Sequence, residues 1–411
     1  MRKKPLLIAG IALVVLIAGS VWWTVAKAKR IDRLAANLTS NDPVVKADAM
    51  ERLSSLTSAS DIGGLAQHLD TEDNTAQQAI AAAIAANGER AIEPLETAMR
   101  AEATSYGSTS AIRMLFGSRE DSQESQKESE RHGRAMFGFS ETLNLMGRTG
   151  ADLVLALTKD QDRQVRWFAA STFYNASSPE MLDASVTSFA SRDSTVAMQA
   201  IMSTARTRYE KAVEPLLGLL DDRDPQIREQ AARALAFYPY DPRVTDKLIP
   251  FMLNPRTNSF FKASVAGALA HSTDPRALQA LIAALPNGIK DTRDTVVHAL
   301  VALPDDRKWA AMAAALSDKD GGTRLGAAEF FAGTIDAREA PALLEAYPSA
   351  SAEGKRGIVV ALKFLSELDL PGHNVINEKA RLIDPDVPKT AKEALATIES
   401  SDKAARDAGG R

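Results

Sequence analysis

The sequence predicts an all-α fold: an α-solenoid of about ten to eleven stacked helical hairpins, preceded by one transmembrane helix. Three observations carry that prediction. A polar, aliphatic and basic pattern recurs at close to 31 residues, each period holds two helix starts, and residues 5–26 form one uncharged apolar run.

The N-terminal run, PLLIAGIALVVLIAGSVWWTVA between Lys4 and Lys27, would extend about 33 Å as a helix, enough for a hydrocarbon core of roughly 30 Å. Trp22 and Trp23 stand at its end, where indole rings favour the interface, so residues 1–30 are read as a signal anchor. Arg2, Lys3 and Lys4 precede the run, and Lys27, Lys29, Arg30 and Arg33 follow it, which leaves orientation undecided by charge. A short basic tail favours an inside N-terminus. The expectation is therefore a single-pass membrane protein whose repeat domain is extracytoplasmic (periplasmic), with a cytoplasmic-facing body as the alternative. Ala26-Lys27-Ala28 also leaves a cleaved signal peptide open.

Net charge is −4, and the six positive side chains flanking the apolar run bring residues 31–411 to −10 once they are set aside. A body this acidic repels nucleic-acid phosphates, so no nucleic-acid partner is expected. The absence of cysteine excludes disulfides, thiolate nucleophiles and cysteine-ligated metals.

The repeat is clearest in Asp224-Pro-Gln-Ile-Arg228-Glu-Gln-Ala-Ala-Arg-Ala-Leu235. Aligned on the basic position it returns at Lys46, Gln77, Arg166, Ala197, Arg228, Lys262, Arg293, Arg324, Lys355 and Pro388. Four residues earlier stand Asp42, Asp73, Asp162, Asp193, Asp224, Asn258, Ile289, Asp320, Ser351 and Asp384. An acid followed by a first-turn proline supplies an N-cap acceptor where the missing N–H costs nothing, so each unit opens a helix. A second set of starts, at Asp241, Asp274, Asp305, Asp336 and Asp369, completes two helices per period. Stripes such as Ala277, Leu278, Leu281, Ile282 and Leu285 give each helix one apolar face, and a hairpin this short must stack on its neighbour to bury both faces.

The expected organisation is an anchor over 1–30, first repeats over 31–99, a polar Ser-rich insertion or degenerate repeat over 100–134, the main array over 135–400, and a disordered tail over 401–411. Within 100–134, Ala111–Phe116 reads as a short apolar turn and Ala135–Met146 as the next helix.

The motif D-x-x-[VI]-[RK]-x-x-A-A-x-A-L at this period resembles the HEAT-like repeat, in the short variety of phycobilin lyases, over most of residues 42–397. Gln77, Ala197 and Pro388 depart from it at the base, Ile289 and Ser351 at the acid, and Lys262 follows a three-residue slip. The resemblance implies an inter-repeat ladder of caps and ion pairs, with Asp162, Arg166, Asp224, Arg228, Asp320 and Arg324 as its candidates. It also implies a binding surface on the exposed face of the second helices along the inner curve. Positions one, five and eight after the base give Trp167, Ser171, Tyr174, Met198, Met202, Arg233, His298 and Glu329 as candidate protein-binding residues. For Trp167 and Tyr174 the competing reading is that they fill gaps between repeats.

No catalytic constellation is read from the chain. Its five histidines, His68, His132, His271, His298 and His373, share no metal-ligand spacing, so neither metal nor other cofactor is expected. Gly321-Gly322-Thr-Arg-Leu-Gly326 lacks the Lys-Ser/Thr ending of a phosphate loop, and no small-molecule substrate is expected. The expected function is that of a membrane-anchored scaffold in the bacterial cell envelope that binds other proteins and is not an enzyme. The alternative that the resemblance implies is a bilin-lyase-like or metal-dependent enzyme on the same repeats.

Overall fold

The structure, a computed structural model, describes residues 26, 28–53, 55–116, 122–287, 290–336, 338–367 and 386–409. The chain divides into two compact units, residues 1–212 and 213–411. Among the described residues all regular structure is helical. None of their helices is long and apolar enough to cross a membrane, and the expected span lies outside them except for Ala26.

In the first unit α1 covers residues 28–38, followed by α2 (Pro43–Leu53), α3 (Ala59–Ala66), α4 (Asn74–Ala85), α5 (Ile92–Phe116), α6 (Ser122–Leu145), α7 (Arg148–Leu157), α8 (Arg163–Thr172), α9 (Pro179–Thr187) and α10 (Ser194–Thr207). Capping explains the starts. Ser58, Asp73, Asp162, Ser178 and Asp193 each accept a hydrogen bond from a first-turn amide, which stabilises a helix end by about 1 kcal/mol. Even-numbered helices stack on one another as α4, α6, α8 and α10, while α3 packs on α5 and α7 on α9. Leu95, Phe139, Phe168 and Phe173 are buried between these layers, with the Phe139 and Phe168 rings edge to face at 5.7 Å.

In the insertion or degenerate repeat expected at 100–134, the two alternatives for that segment, the described residues are helical, and the short turn expected at Ala111–Phe116 is corrected. Apart from residues 117–121, which lie outside the described residues, the segment belongs to α5 and α6, helices of 25 and 24 residues, and Ala111–Phe116 is the last part of α5 and not a turn. These two long helices, together with α7, occupy most of the 89-residue gap between Gln77 and Arg166. The physical reason is that Met99, Ala103, Ala135, Phe139 and Leu143 are buried at helical spacing on both long helices, which outweighs the serine content between them.

The second unit runs α11 (Val213–Leu219), α12 (Pro225–Leu235), α13 (Pro242–Leu253), α14 (Ser259–Leu269), α15 (Pro275–Ala284), α16 (Lys290–Ala302), α17 (Arg307–Ala315), α18 (Gly321–Thr334), α19 (Glu339–Ala346), α20 (Ala352–Ser366) and α21 (Asp386–Gly409). Helices α12, α14, α16, α18 and α20 form one layer; α11, α13 and α15 pack in sequence in the other, as do α17 and α19. Nearest neighbours supply the cohesion, as in a solenoid. Trp309, Phe330 and Phe331 form an edge-to-face aromatic cluster in this core.

The disordered tail expected at 401–411 is also corrected: α21 continues through Gly409. Val387, Ala391, Ala394 and Ile398 bury one face, and beyond that stripe the Tyr347 hydroxyl donates to Asp402 at 2.7 Å, fastening the next turn to α19. Ile289, Asp369, His373 and Asp384 lie outside the described residues.

Candidate docking face

The basic position of the repeat does two things. Arg166 Nη1 donates to the carbonyls of Asp160 and Gln161, Arg228 Nη1 to those of Asp222 and Arg223, and Arg324 Nη1 to those of Asp318 and Lys319. Each arginine thus closes the loop that precedes its own helix. Two bases also reach the aspartate that caps the next second helix, Lys46 to Asp73 at 3.3 Å and Arg166 to Asp193 at 2.7 Å, whereas Arg293, whose next cap is Asp320, turns to Glu329 instead. Burial pushes the Asp193 carboxyl up, but the Arg166 guanidinium and the Thr195 amide outweigh it and hold it below the ordinary value.

Where the next cap is Asn258 or Ser351 that rung is different. Arg228 lies over the Phe261 ring at 5.8 Å, and Arg324 approaches Glu353 at 3.6 Å. Arg293 pairs with Glu329 at 2.9 Å, so Glu329, a candidate binding residue, is engaged inside its own unit. Gln77 takes the place of a base with a buried amide that donates to the Leu69 and Arg134 carbonyls. Asp162, Asp224 and Asp320 act as N-caps.

A recurring fork was not foreseen from the Asp-x-Arg starts. Asp241, Asp274, Asp305 and Asp336 each accept from the amide two residues on, and Arg243, Arg276, Arg307 and Arg338 fold back onto the same carboxylates at 2.5–2.6 Å. The arginine hydrogen bond holds all four aspartates below their ordinary pKa. Arg276 also reaches Asp246 at 2.7 Å, and Arg338 reaches Asp306 at 2.6 Å, so the fork stitches one first helix to the previous one.

The candidate face lies on α8 and α10, which pack side by side. Trp167 is half-buried and stacks on Tyr106 of α5, centroids 4.5 Å apart and planes within 12°. Tyr174, at the end of α8, is 50% exposed, and the Arg206 guanidinium of α10 covers its ring at 3.6 Å. Met198 and Met202 are half-buried on α10. Ser171 is not part of this surface: it is buried, and its hydroxyl donates back to the Trp167 carbonyl. The reason is that position five after the base turns toward the helix interface here. In the second unit Arg233 and His298 are exposed, on α12 and α16.

A polar cluster beside this face was missed. His132, 2% exposed, shares a hydrogen bond with Glu102 through Nδ1, meets Tyr106 edge to face at 5.2 Å, and adjoins Arg131, which bridges Glu102 at 3.2 Å and Asp70 at 3.3 Å. Asp70, Glu102 and Arg131 line a cleft of about 630 Å³ between α3, α5 and α6. Arg131 stays fully charged because its carboxylate partners outweigh the effect of burial. The available signal was Ala135, Phe139 and Leu143, whose spacing makes 126–145 a packed helix and so turns Arg131-His132 inward. Among the described residues no three His, Asp or Glu side chains converge as a metal site.

A family model described as HEAT repeats matches residues 150–236, 186–260 and 218–301. The matched stretch is similar to HEAT repeats, and it contains both α8 and α10. No curated protein is significantly similar to the chain. Among solved structures, an engineered protein aligns over 90% of this chain and 98% of its own at 22% identity and a TM-score of 0.39. The CpcE–CpcF complex of phycocyanin lyase from Nostoc sp. aligns over 60% and 94% at 17% identity and a TM-score of 0.33. Human deoxyhypusine hydroxylase aligns over 68% and 97% at 14% identity and a TM-score of 0.28.

Proposed function

We propose that this chain is a non-catalytic docking scaffold whose HEAT repeats bind another protein through the α8–α10 face, held at a membrane by residues 5–26. The observation that carries the reading is the series of exposed Tyr174 and Arg206 with half-buried Trp167, Met198 and Met202 on two adjacent helices. Aromatic, methionine and arginine side chains are the types that dominate binding energy at interfaces, and here each keeps part of its surface accessible. The anchor reading is supported by the 22 uncharged residues between Lys4 and Lys27 with their terminal tryptophan pair. An extracytoplasmic, cell-envelope location follows from a short basic tail on the inside, and tethering would raise the local concentration of docked partners.

A photo-crosslinking residue placed at Tyr174 or Met198 in the full chain, in native membranes, tests the docking role. Discrete crosslinked species are expected from these positions and not from Asp152, an exposed residue of α7. Equal crosslinking from all three sites, or none from any, overturns it. For topology, alkaline phosphatase fused to the C-terminus is expected to be active; inactivity would place the body on the cytoplasmic side.

A further inference from the structure

The first unit carries a second surface of opposite character. A cleft of about 820 Å³ opens between the ends of α7 and α9 and the first turns of α8 and α10, within the roughly 300–1,000 Å³ that encloses a small ligand or short segment. Lys159, Arg163, Arg166 and Arg192 stand around it. Arg166 is committed to Asp193 and to two loop carbonyls. Lys159, Arg163 and Arg192 are exposed, and among the described residues none of them has a carboxylate partner. The acids around it are already engaged, Asp162 as cap to the Gln164 amide, Asp193 by Thr195 and Arg166, and Asp160 by Arg100 at 2.6 Å.

The repeat does not require Lys159 and Arg163, whereas Arg192 returns one period later as Arg223. One period after Lys159 and Arg163 stand Ala190 and Ser194, and two periods after stand Asp221 and Pro225, at equivalent places before and inside a second helix. Fold stability is met there without positive charge. In a body of net charge −10, four cations and one carboxylate, Asp193, line this concavity, a local excess of positive charge that favours anions.

We propose that this cleft binds an acidic segment of a protein partner, a run of aspartate and glutamate side chains. Separate cations at the two ends of the cleft suit a row of carboxylates along an extended segment, since guanidinium groups pair with planar carboxylates two bonds at a time. A nucleic acid would bring its phosphates against the surrounding acidic surface, which opposes it. The inference is independent of the α8–α10 docking face.

Fluorescence anisotropy of a fluorescein-labelled peptide of alternating Asp and Glu, titrated with the full chain at low salt, tests it. Saturable binding is expected, weakened about tenfold or more in the Lys159→Gln/Arg163→Gln/Arg192→Gln variant with its helical circular dichroism unchanged. Should that variant lose helicity, Arg163→Gln and Arg192→Gln alone carry the test, each expected to weaken binding about threefold. Arg148→Gln, which removes an exposed cation of α7 that does not line the cleft, is expected to leave this binding unchanged, which separates the cleft from general surface charge. Unaltered binding by the charge-removal variants overturns the proposal, as does tighter binding of a phosphoserine peptide or a single-stranded oligonucleotide.

Discussion

Arg166 of α8 reaches Asp193, the cap of α10, at 2.7 Å, so one side chain closes its own loop and holds the start of the next second helix. Both partners are largely buried, and each keeps further hydrogen bonds, the arrangement in which an ion pair is worth most. Arg166→Met is expected to lower stability by about 2–3 kcal/mol, because it strands the Asp193 carboxylate and two carbonyls. Asp193→Ala is expected to cost about the same, and the double variant less than the sum. Urea denaturation of the four proteins measures the coupling; strict additivity would mean the pair does not join the repeats.

Lys262 occupies the same repeat position in α14 with a different outcome. It is 5% exposed, forms no ion pair among the described residues, and burial pushes its pKa down. A buried ammonium without a counter-charge is a cost that Met of similar length removes. Lys262→Met is therefore expected to leave stability unchanged or raise it by about 1 kcal/mol, opposite in sign to Arg166→Met. Thermal melting decides this: a loss comparable to that of Arg166→Met would show that Lys262 is a working rung.

Much of the fold was legible because capping and burial act locally and repeat. Asp162, Asp193 and Asp224 could be placed at helix starts from spacing alone, and they are there. The α5–α6 hairpin could not, since its helices of 25 and 24 residues run past the repeat's spacing and its serines and glutamates mask the buried stripe of Ala135, Phe139 and Leu143. The candidate face was legible by type but not by exposure. Ser171 and Tyr174 are three residues apart, yet one is buried and the other half exposed, a difference set by how α8 rolls against α10. The basic cleft escaped notice because Lys159 and Arg163 belong to one helix junction and Arg192 to the next, and only stacking brings them together.

Glu339 makes the second unit sensitive to pH. Its side chain is fully buried at the start of α19, where Oε1 accepts from the Asp336 amide, and burial pushes its pKa up to about 7, with the Asp336 charge adding to the rise and Thr334 and the local amides opposing it. Below pH 4.5 folded and unfolded chains both hold the proton. Between that and about pH 7 only the folded chain does, so stability falls as pH rises, by roughly 3 kcal/mol in total. The depressed Asp241, Asp274 and Asp305 act in the other direction, and their contribution is lost only as pH falls below their ordinary value of 3.8. Glu339→Gln keeps the acceptor and is expected to stabilise near pH 8 while changing nothing near pH 4. Identical pH profiles for the variant and the natural chain would show that Glu339 is not the group responsible.

The stack of Tyr106 on Trp167 joins the long hairpin to α8, and Gly107 lies directly against the Gln164 side chain one residue later. The same tyrosine edge meets His132, so its ring is the common neighbour of the buried cluster and the docking face. Tyr106→Ala removes both ring contacts and leaves a void, for an expected loss of about 2–4 kcal/mol, while Tyr106→Phe keeps the stack and is expected to cost less than about 1 kcal/mol. In a cycle with Trp167→Ala the coupling is expected at about 1 kcal/mol, since offset aromatic pairs contribute about that beyond the area they bury. Amide hydrogen exchange adds a spatial readout. Protection in Tyr106→Ala is expected to fall in α5, α6 and the first turn of α8, less in α3 and α4, which pack on them, and to remain in α2, because each helix draws stability from its immediate neighbours. A uniform fall across the first unit would instead mean that it unfolds as one cooperative body, and that the Tyr106–Trp167 contact has no local role.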